Sequence, residues 1–497
     1  MEPTYVHDLD TPLLMFSERD VWTLRDAAEG CFITGGIGAG KSSSSGAAIG
    51  TAFLKAGFGG IVCCANVDEV DRWRRYCDET ERTQSLIVID KTLRHRFNFM
   101  EYQMAAGRGS TFEAVQVLLD ILNAAEGKLD TAQGGKDAFW EQTLRQLLRA
   151  TLAPLWAAYG RITLAELMRF INSRPQQLKQ IDDDEWLNQS FWAQTMEKAD
   201  APHLATHPLD REDFAAINDY WTETMLQADE RTRGNILSTV TARLDPFLTG
   251  DLRKLFCTHT TLVPELTFEG AVIVLDLSAH EWGEEGVLGQ HIFKTMWQRA
   301  MQRRPKTADA RPCFCFADEC QYFLAASDQK FQSTARACRA LTVYLTQNLP
   351  GIYAKIGGGN AQNVADALLG NLATKIFHAQ PDFRTAEWAA NLIGKGLIWR
   401  ENRGENESSN TSDSTSSTTG GGPGSRPSNS TSTGGGTGKG ISIGASQVID
   451  YHVQPSHFGT LRKGGGADAM SEAVIYQAGR KFDYTGAVWT PAFFRQS

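Results

Sequence analysis

The chain reads as an α/β fold: a mostly parallel sheet with an all-helical block inserted between two of its strands. Three observations predict this. Short apolar runs bounded by turn residues recur near both ends of the chain, and continuous apolar strands of that kind suit a parallel sheet covered on both faces. Helical patterns separate those runs, as strand–helix alternation requires. Between about residues 112 and 255 the strand signals stop and long helical stripes replace them.

Seven strands are expected in order: "CFIT" (31–34), "GIVCCA" (60–65), "SLIVID" (85–90), "GAVIVLDL" (270–277), "CFCFADE" (313–319), "LTVYLTQ" (341–347) and "ATKIFHA" (373–379). In the middle block, "DAFWEQTLRQLLRATLAPLWAAYG" (137–160) has apolar residues at 139, 140, 144, 147, 148, 152, 155 and 156, one helical stripe for core packing. The expected division is a lead-in (1–30), the first part of the α/β core (31–111), an inserted all-helical domain (112–261), the second part of the core (262–403), a linker (404–440) and a segment that closes the core (441–497). Residues 404–440 are almost all Ser, Thr, Gly and Asn. They cannot bury enough apolar surface to offset chain entropy, so disorder is expected there.

Bulk composition narrows the class. A chain of 497 residues with 42% hydrophobic and 22% charged residues suits a globular protein of two or three domains. No stretch reaches the ~18 apolar residues of a membrane span, and "MEPTYVHDLDTP" lacks the apolar core of a signal peptide. A net charge of −9 argues against a nucleic-acid coat and leaves room for a local basic channel. The nine cysteines have no paired CxxC or Cys/His spacing, so they are expected as small buried hydrophobes in a reducing, cytoplasmic compartment.

"CFITGGIGAGKSSSSG" carries the clearest chemistry. Gly35-x4-Gly40-Lys41-Ser42 fits the phosphate-loop pattern, with a strand before it and a helix after it. Glycines let the backbone approach a phosphate closely. The loop Gly35, Gly36, Ile37, Gly38, Ala39, Gly40, Lys41, Ser42 and Ser43 would then cradle a nucleotide with its N–H groups and the helix N-terminus. Lys41 would bridge the β- and γ-phosphates of ATP, and the Ser42 hydroxyl would bind Mg2+. The strand "CFCFADE" ends in Asp318 and Glu319, where open α/β sheets place ligands. Asp318 would hold the ion and Glu319 would act as general base on water. Gln347 ends the next strand, placed to orient water or sense the γ-phosphate. Arg336 and Arg339 share one helix face, and one of them could be an arginine finger reaching a neighbouring subunit. A basic cluster, Arg299, Arg303, Arg304 and Lys306, ends the helix "GVLGQHIFKTMWQRAMQRRP". It reads either as complement to the helix dipole or as a DNA-facing loop.

In this order the segments resemble the conjugative coupling ATPases of type IV secretion, the TraG-like family within the HerA/FtsK class. "RTRGNILSTVTARLDPFL" (231–248), "EGAVIVLDLSAHEWGEEG" (269–286), "FADECQYF", "STARACRALTVYLTQNLPGI", "ADALLGNLATKIFHAQPDFRTAEWAANLIGK" (365–395) and "HVQPSHFGTLRKGG" with "EAVIYQAGRKF" each resemble a family block. The resemblance implies a RecA-like core and an ATP-driven motor that translocates DNA, single- or double-stranded, or a nucleoprotein. It also implies a homo-hexamer, with a relaxase or secretion-channel components as partners. It carries the catalytic roles to Lys41, Glu319 and Gln347, the Mg2+ contacts to Ser42 and Asp318, and the trans-acting arginine to Arg336 rather than Arg339. The alternative is a HerA-like ATPase that acts on proteins or powers a partner nuclease in phage defence. Two features depart from the family. Family members usually carry N-terminal membrane helices, and the roughly thirty residues before the loop hold none, so docking to a membrane channel at the inner membrane is expected only where a partner supplies the anchor. Asn66 also stands where relatives often show a lysine.

Overall fold

A computed structural model describes residues 7–107, 109–125, 136–418, 428–465 and 468–496. It divides into two compact units, Met1–Ala386 with Ser456–Ser497, and Glu387–Pro455.

The strands of the first unit are β1 (Pro12–Met15), β2 (Val21–Thr23), β3 (Cys31–Thr34), β4 (Gly59–Cys63), β5 (Leu86–Ile89), β6 (Val272–Leu275), β7 (Cys313–Ala317), β8 (Ala340–Thr346), β9 (Thr374–Phe377), β12 (Met470–Gln477) and β13 (Trp489–Arg495). β1 and β2 form a small hairpin. The rest make one nine-stranded sheet in the order β13-β12-β9-β3-β8-β7-β4-β6-β5. The seven strands from β9 to β5 are parallel, and each overlaps one of the seven runs read from the sequence, β4 and β8 starting one residue earlier than read. β12 and β13 add antiparallel at the β9 edge. Strands β3, β4, β6, β7, β8 and β9 are wholly buried, while the edge strand β5 is half-exposed along most of its length.

Between β5 and β6 every described regular element is helical, from Phe99–Ala106 to the short turn Pro264–Glu269. Asn98 ties the entrance and exit of this block together. Its amide nitrogen donates to the carbonyls of Ile162 (3.0 Å) and Thr258 (3.3 Å), and its backbone N–H donates to Thr260 Oγ1 (3.0 Å). The block falls in the same compact unit as the sheet, because its helix Thr111–Ala125 packs along the long helix Ala279–Arg303 that covers the sheet. That packing consumes most of the basic cluster. Arg299 and Arg303 pair with Glu113 at 3.5 and 3.4 Å. The buried Arg304 donates to the carbonyls of Arg311 and Cys338. Three of the four cations therefore hold the core together, and among the described residues Lys306 alone of the four is exposed without such a bond.

The same long helix carries Lys294, whose side chain is 1% exposed. Its ammonium donates to both carboxylate oxygens of Asp328 (2.7 and 2.6 Å) and to the Phe323 carbonyl (2.6 Å). Gln298 and the Ala325 N–H also donate to Asp328. This pair anchors the segment that runs from the acidic pair at 318–319 to Arg336. Removing one partner of a buried pair leaves an uncompensated charge and costs about 3–5 kcal/mol. Lys294→Met is therefore expected to lower the unfolding free energy by about that amount in denaturant titration. A loss below about 1 kcal/mol would show the pair to be structurally idle.

In the second unit, β10 (Lys395–Thr418) and β11 (Ser428–Tyr451) pair antiparallel in unbroken register, Lys395 with Tyr451 through Thr418 with Ser428. This corrects the expectation of a disordered linker at 404–440: its described residues lie in a two-stranded ribbon, and 419–427 lie outside the described residues. Low apolar content rules out a packed core but does not rule out a ribbon, whose ladder bonds need no side-chain burial. Thr and the alternating Ser positions suit extended backbone, and cross-strand hydroxyl contacts such as Ser414–Ser432 (3.1 Å) add to the pairing. Residues 441–451 belong to this ribbon, so the segment that closes the core begins after them, with β12 and β13.

All nine cysteines are buried and free of disulfides, as the sequence reading expected. Among the described residues no helix is long and apolar enough to cross a membrane.

Candidate nucleotide site

Three strand ends build the site. β3, β8 and β7 are neighbours in that order, and Thr34 lies level with Thr346, as Ala317 does with Tyr344. The chain leaves all three at the carboxyl edge, where parallel sheets place ligands. The loop 35–43 follows β3, Gln347 follows β8, and Asp318–Glu319 follows β7. Gln380, just beyond β9, braces this edge by donating to Thr34 Oγ1 (3.0 Å) and to the Gln347 carbonyl (2.9 Å).

The loop is held where it needs holding and open where it does not. A Cβ on Gly36 would sit 2.6 Å from Pro381 Cδ, and Gly40 has φ +92° with Ser471 pressed against it, so glycine alone fits both places. Ile37 and Gly38, at the tip, are exposed. The regular helix starts at Ser45. Among the described residues the N–H groups of Lys41 and Ser42 donate to no backbone carbonyl, which leaves them available to an anion at the start of the helix. The serine run is used to fix the loop. Ser43 accepts from Gln496 (3.1 Å), Ser44 from Ser471 (2.7 Å), and Ser45 meets His378 Nε2 at 2.7 Å. Burial pushes His378 down to about 4, so it is neutral and acts as a strut. Two of these struts come from the C-terminal segment, which the sequence pattern could not place beside a loop four hundred residues earlier.

Of the predicted catalytic and metal-binding residues, Lys41, Ser42, Asp318, Glu319 and Gln347 converge. Lys41 Nζ lies 3.1 Å from Glu319 Oε1, and Gln347 Nε2 donates to the same oxygen at 2.9 Å. Ser42 Oγ donates to Asp318 Oδ2. Glu319 itself sits in the left-handed region, φ +48°, a strain of about 1–3 kcal/mol that marks functional sites. Burial would raise its carboxyl, but Lys41, Gln321 and Gln347 outweigh that and hold it below the ordinary glutamate range. Gln321 was not foreseen. Its amide donates to Glu319 Oε2 (2.8 Å) while Thr346 donates to Gln321 Oε1 (2.9 Å), so both carboxylate oxygens are held. Asn66, the departure noted in the sequence, turns its amide onto the buried Glu69 (3.2 Å).

Arg336 is not in this constellation. It precedes β8, at the amino edge of the sheet, and pairs with Glu29 (2.8 Å) with its side chain 56% exposed. Arg339 is occupied by the His7 carbonyl. For a cation, Ser42 and Asp318 offer hard oxygen donors already in contact. No group of three or more His, Cys, Asp or Glu suited to a metal occurs among the described residues. That donor set fits Mg2+, which keeps water and takes phosphate oxygens instead of an all-protein cage.

Fold and site together define a P-loop protein with a RecA-like core and a helical block between its strands. Among known proteins the likeness is to bacterial conjugative coupling proteins. Residues 312–429 match the family described as the TraM recognition site of TraD and TraG. The solved structure of the coupling protein TrwB lacking its first 70 residues, unbound, superposes with a TM-score of 0.54 at 12% identity, over 97% of this chain and 89% of that one. TrwB with ADP and Mg2+ gives 0.56 at 11% identity, over 95% and 86%. TrwB with a non-hydrolysable ATP analogue gives 0.55 at 12%, over 100% and 95%. Comparison with curated proteins by sequence gives no match. The resemblance to TraG-like coupling ATPases read from the sequence therefore stands, in the fold and in the 312–429 segment.

Proposed function

We propose that this chain is an ATP-driven ring motor that binds and translocates DNA or a nucleoprotein, in the manner of a type IV secretion coupling protein. The observation that carries the reading is the meeting of Lys41, Ser42, Asp318, Glu319 and Gln347 at one sheet edge. ATP would lie along the 35–43 loop, with Lys41 leaving Glu319 for the β- and γ-phosphates. Ser42 and Asp318 would hold Mg2+, which neutralises charge on the phosphate oxygens when bound. Glu319, steadied by Gln321 and Gln347, would take a proton from the attacking water. The TrwB complexes with ADP, Mg2+ and nucleotide analogues support this choice of ligands. The assembly would be a homo-hexamer on the cytoplasmic side, with a relaxase or channel component delivering cargo or supplying a membrane anchor.

The test is ATP turnover with and without single- and double-stranded DNA. Stimulation by either form is the expected result, and it should weaken as salt rises because phosphate contacts are sequence-independent and screened. Turnover unaffected by both forms would favour a motor acting on protein, or one powering a partner nuclease.

A further inference from the structure

Arg72 stands beside the nucleotide site from an unexpected direction. It lies on the helix Glu69–Glu79, which follows β4, the strand on the far side of β7 from β8. Two contacts fix that helix. Glu69 is buried at its first turn and accepts from the N–H groups of Ala65 (3.1 Å) and Asn66 (2.8 Å). Trp73 packs on the phosphate-loop helix so closely that a Cβ on Gly50 would lie 3.3 Å from the indole. Trp73 also stacks on Phe314 of β7 (5.5 Å between ring centroids).

Arg72 is thereby held over the carboxyl edge with its side chain only 23% exposed. Its Nη1 lies 3.5 Å from Asp318 Oδ2, the oxygen that accepts the Ser42 hydroxyl. Its one side-chain hydrogen bond among the described residues goes to the Asp68 carboxylate on the outer side (2.9 Å). A guanidinium has five N–H donors, so most of its donor capacity is uncommitted, with Nη1 on the Asp318 side. The contact with Asp318 is an ion pair longer than a hydrogen bond, which gives way readily to a better anion. A terminal phosphate is such an anion, and a planar guanidinium recognises it in a forked geometry that an ammonium does not reproduce.

We propose that Arg72 is a ligand of the nucleotide's terminal phosphate, supplied by the same chain that supplies the phosphate loop. It passes from Asp318 to the γ-phosphate when ATP binds, and so distinguishes ATP from ADP. This rests on the nucleotide-site reading above.

The test is equilibrium binding of ADP and of a non-hydrolysable ATP analogue, both with Mg2+, to wild type, Arg72→Ala and Arg72→Lys. The alanine variant should bind the ATP analogue about tenfold more weakly, as loss of one charge-assisted contact implies, and ADP within about twofold of wild type. The lysine variant should fall between, since it keeps the charge and loses the fork. Equal weakening of both nucleotides would overturn the proposal and leave Arg72 as a brace on Asp318. Unchanged binding of both would also overturn it. Wild type that binds neither nucleotide would instead bring down the nucleotide-site reading, and this proposal with it. Circular dichroism of each variant separates these outcomes from misfolding.

Discussion

Glu319→Gln is expected to abolish ATP turnover, by about 10²–10⁴-fold, while nucleotide binding survives. The amide keeps the shape of the side chain and can still meet Gln321 and Gln347, but it cannot accept a proton from water. Binding should survive because Lys41, which the carboxylate holds at 3.1 Å, is released to the phosphates without having to break an ion pair. Turnover within about tenfold of wild type would assign the base elsewhere. The wild-type pH profile gives a second check. Lys41 and the two glutamine amides, acting against burial, place the Glu319 carboxyl below its ordinary range. The base is therefore ionised through neutral and mildly acidic pH in the nucleotide-free protein, and any acid limb it gives to kcat/KM, which reports the free enzyme, falls below the ordinary glutamate range. The same sign governs stability: the contribution of the Lys41–Glu319 pair is present above the unfolded glutamate value and is lost as pH falls through the lowered folded one.

Arg336→Ala is expected to leave ATP binding near normal and to cost about 10³–10⁵ in turnover, the range for a finger that stabilises transition-state charge. The fold supplies a reason for a trans role. Arg336 lies before β8 and the nucleotide site lies after it, and β8 has seven residues. At about 3.3 Å per residue the two ends are roughly 20 Å apart, beyond the reach of an arginine side chain. The guanidinium cannot serve its own loop, and its exposed position, paired among the described residues with Glu29 alone, leaves it presentable to another copy. Mixing Arg336→Ala with Lys41→Ala protomers should restore part of the activity, because an intact loop in one then faces an intact arginine in the next. No recovery at any mixing ratio would sink the trans role. With recovery, Arg72 and Arg336 flank one triphosphate from two chains: loss of the first should show in ATP affinity, loss of the second in rate.

Much of the site was legible because its signals are local. A run such as "CFIT" followed by glycines and Gly-Lys-Ser fixes strand, turn and helix start within a dozen residues. An apolar strand that ends in Asp318-Glu319 declares which end faces a ligand. Gln321 carried no such signal, since a glutamine in a short turn looks like any polar surface residue until Thr346 and Glu319 are seen on either side of it. Arg72 reads from sequence as the second half of an ordinary i,i+4 pair with Asp68. The basic cluster at 299–306 read either as complement to the helix dipole or as a DNA-facing loop, and what the sequence could not show is that Arg304 is spent on buried carbonyls and Arg299 and Arg303 on Glu113.

By itself the sequence determined the identity and chain order of the seven parallel strands, the phosphate loop and the acidic pair. Each depends on side-chain pattern and turn chemistry over a few neighbouring residues. Only the tertiary structure decided that β8 lies between β3 and β7, that Arg336 sits at the opposite edge from its own site, that Arg72 approaches from β4, and that the serine-rich segment pairs with itself as a ribbon. Strand order and side-chain convergence arise from contacts between residues tens to hundreds of positions apart. No local pattern records which of the many possible partners the packed core selects.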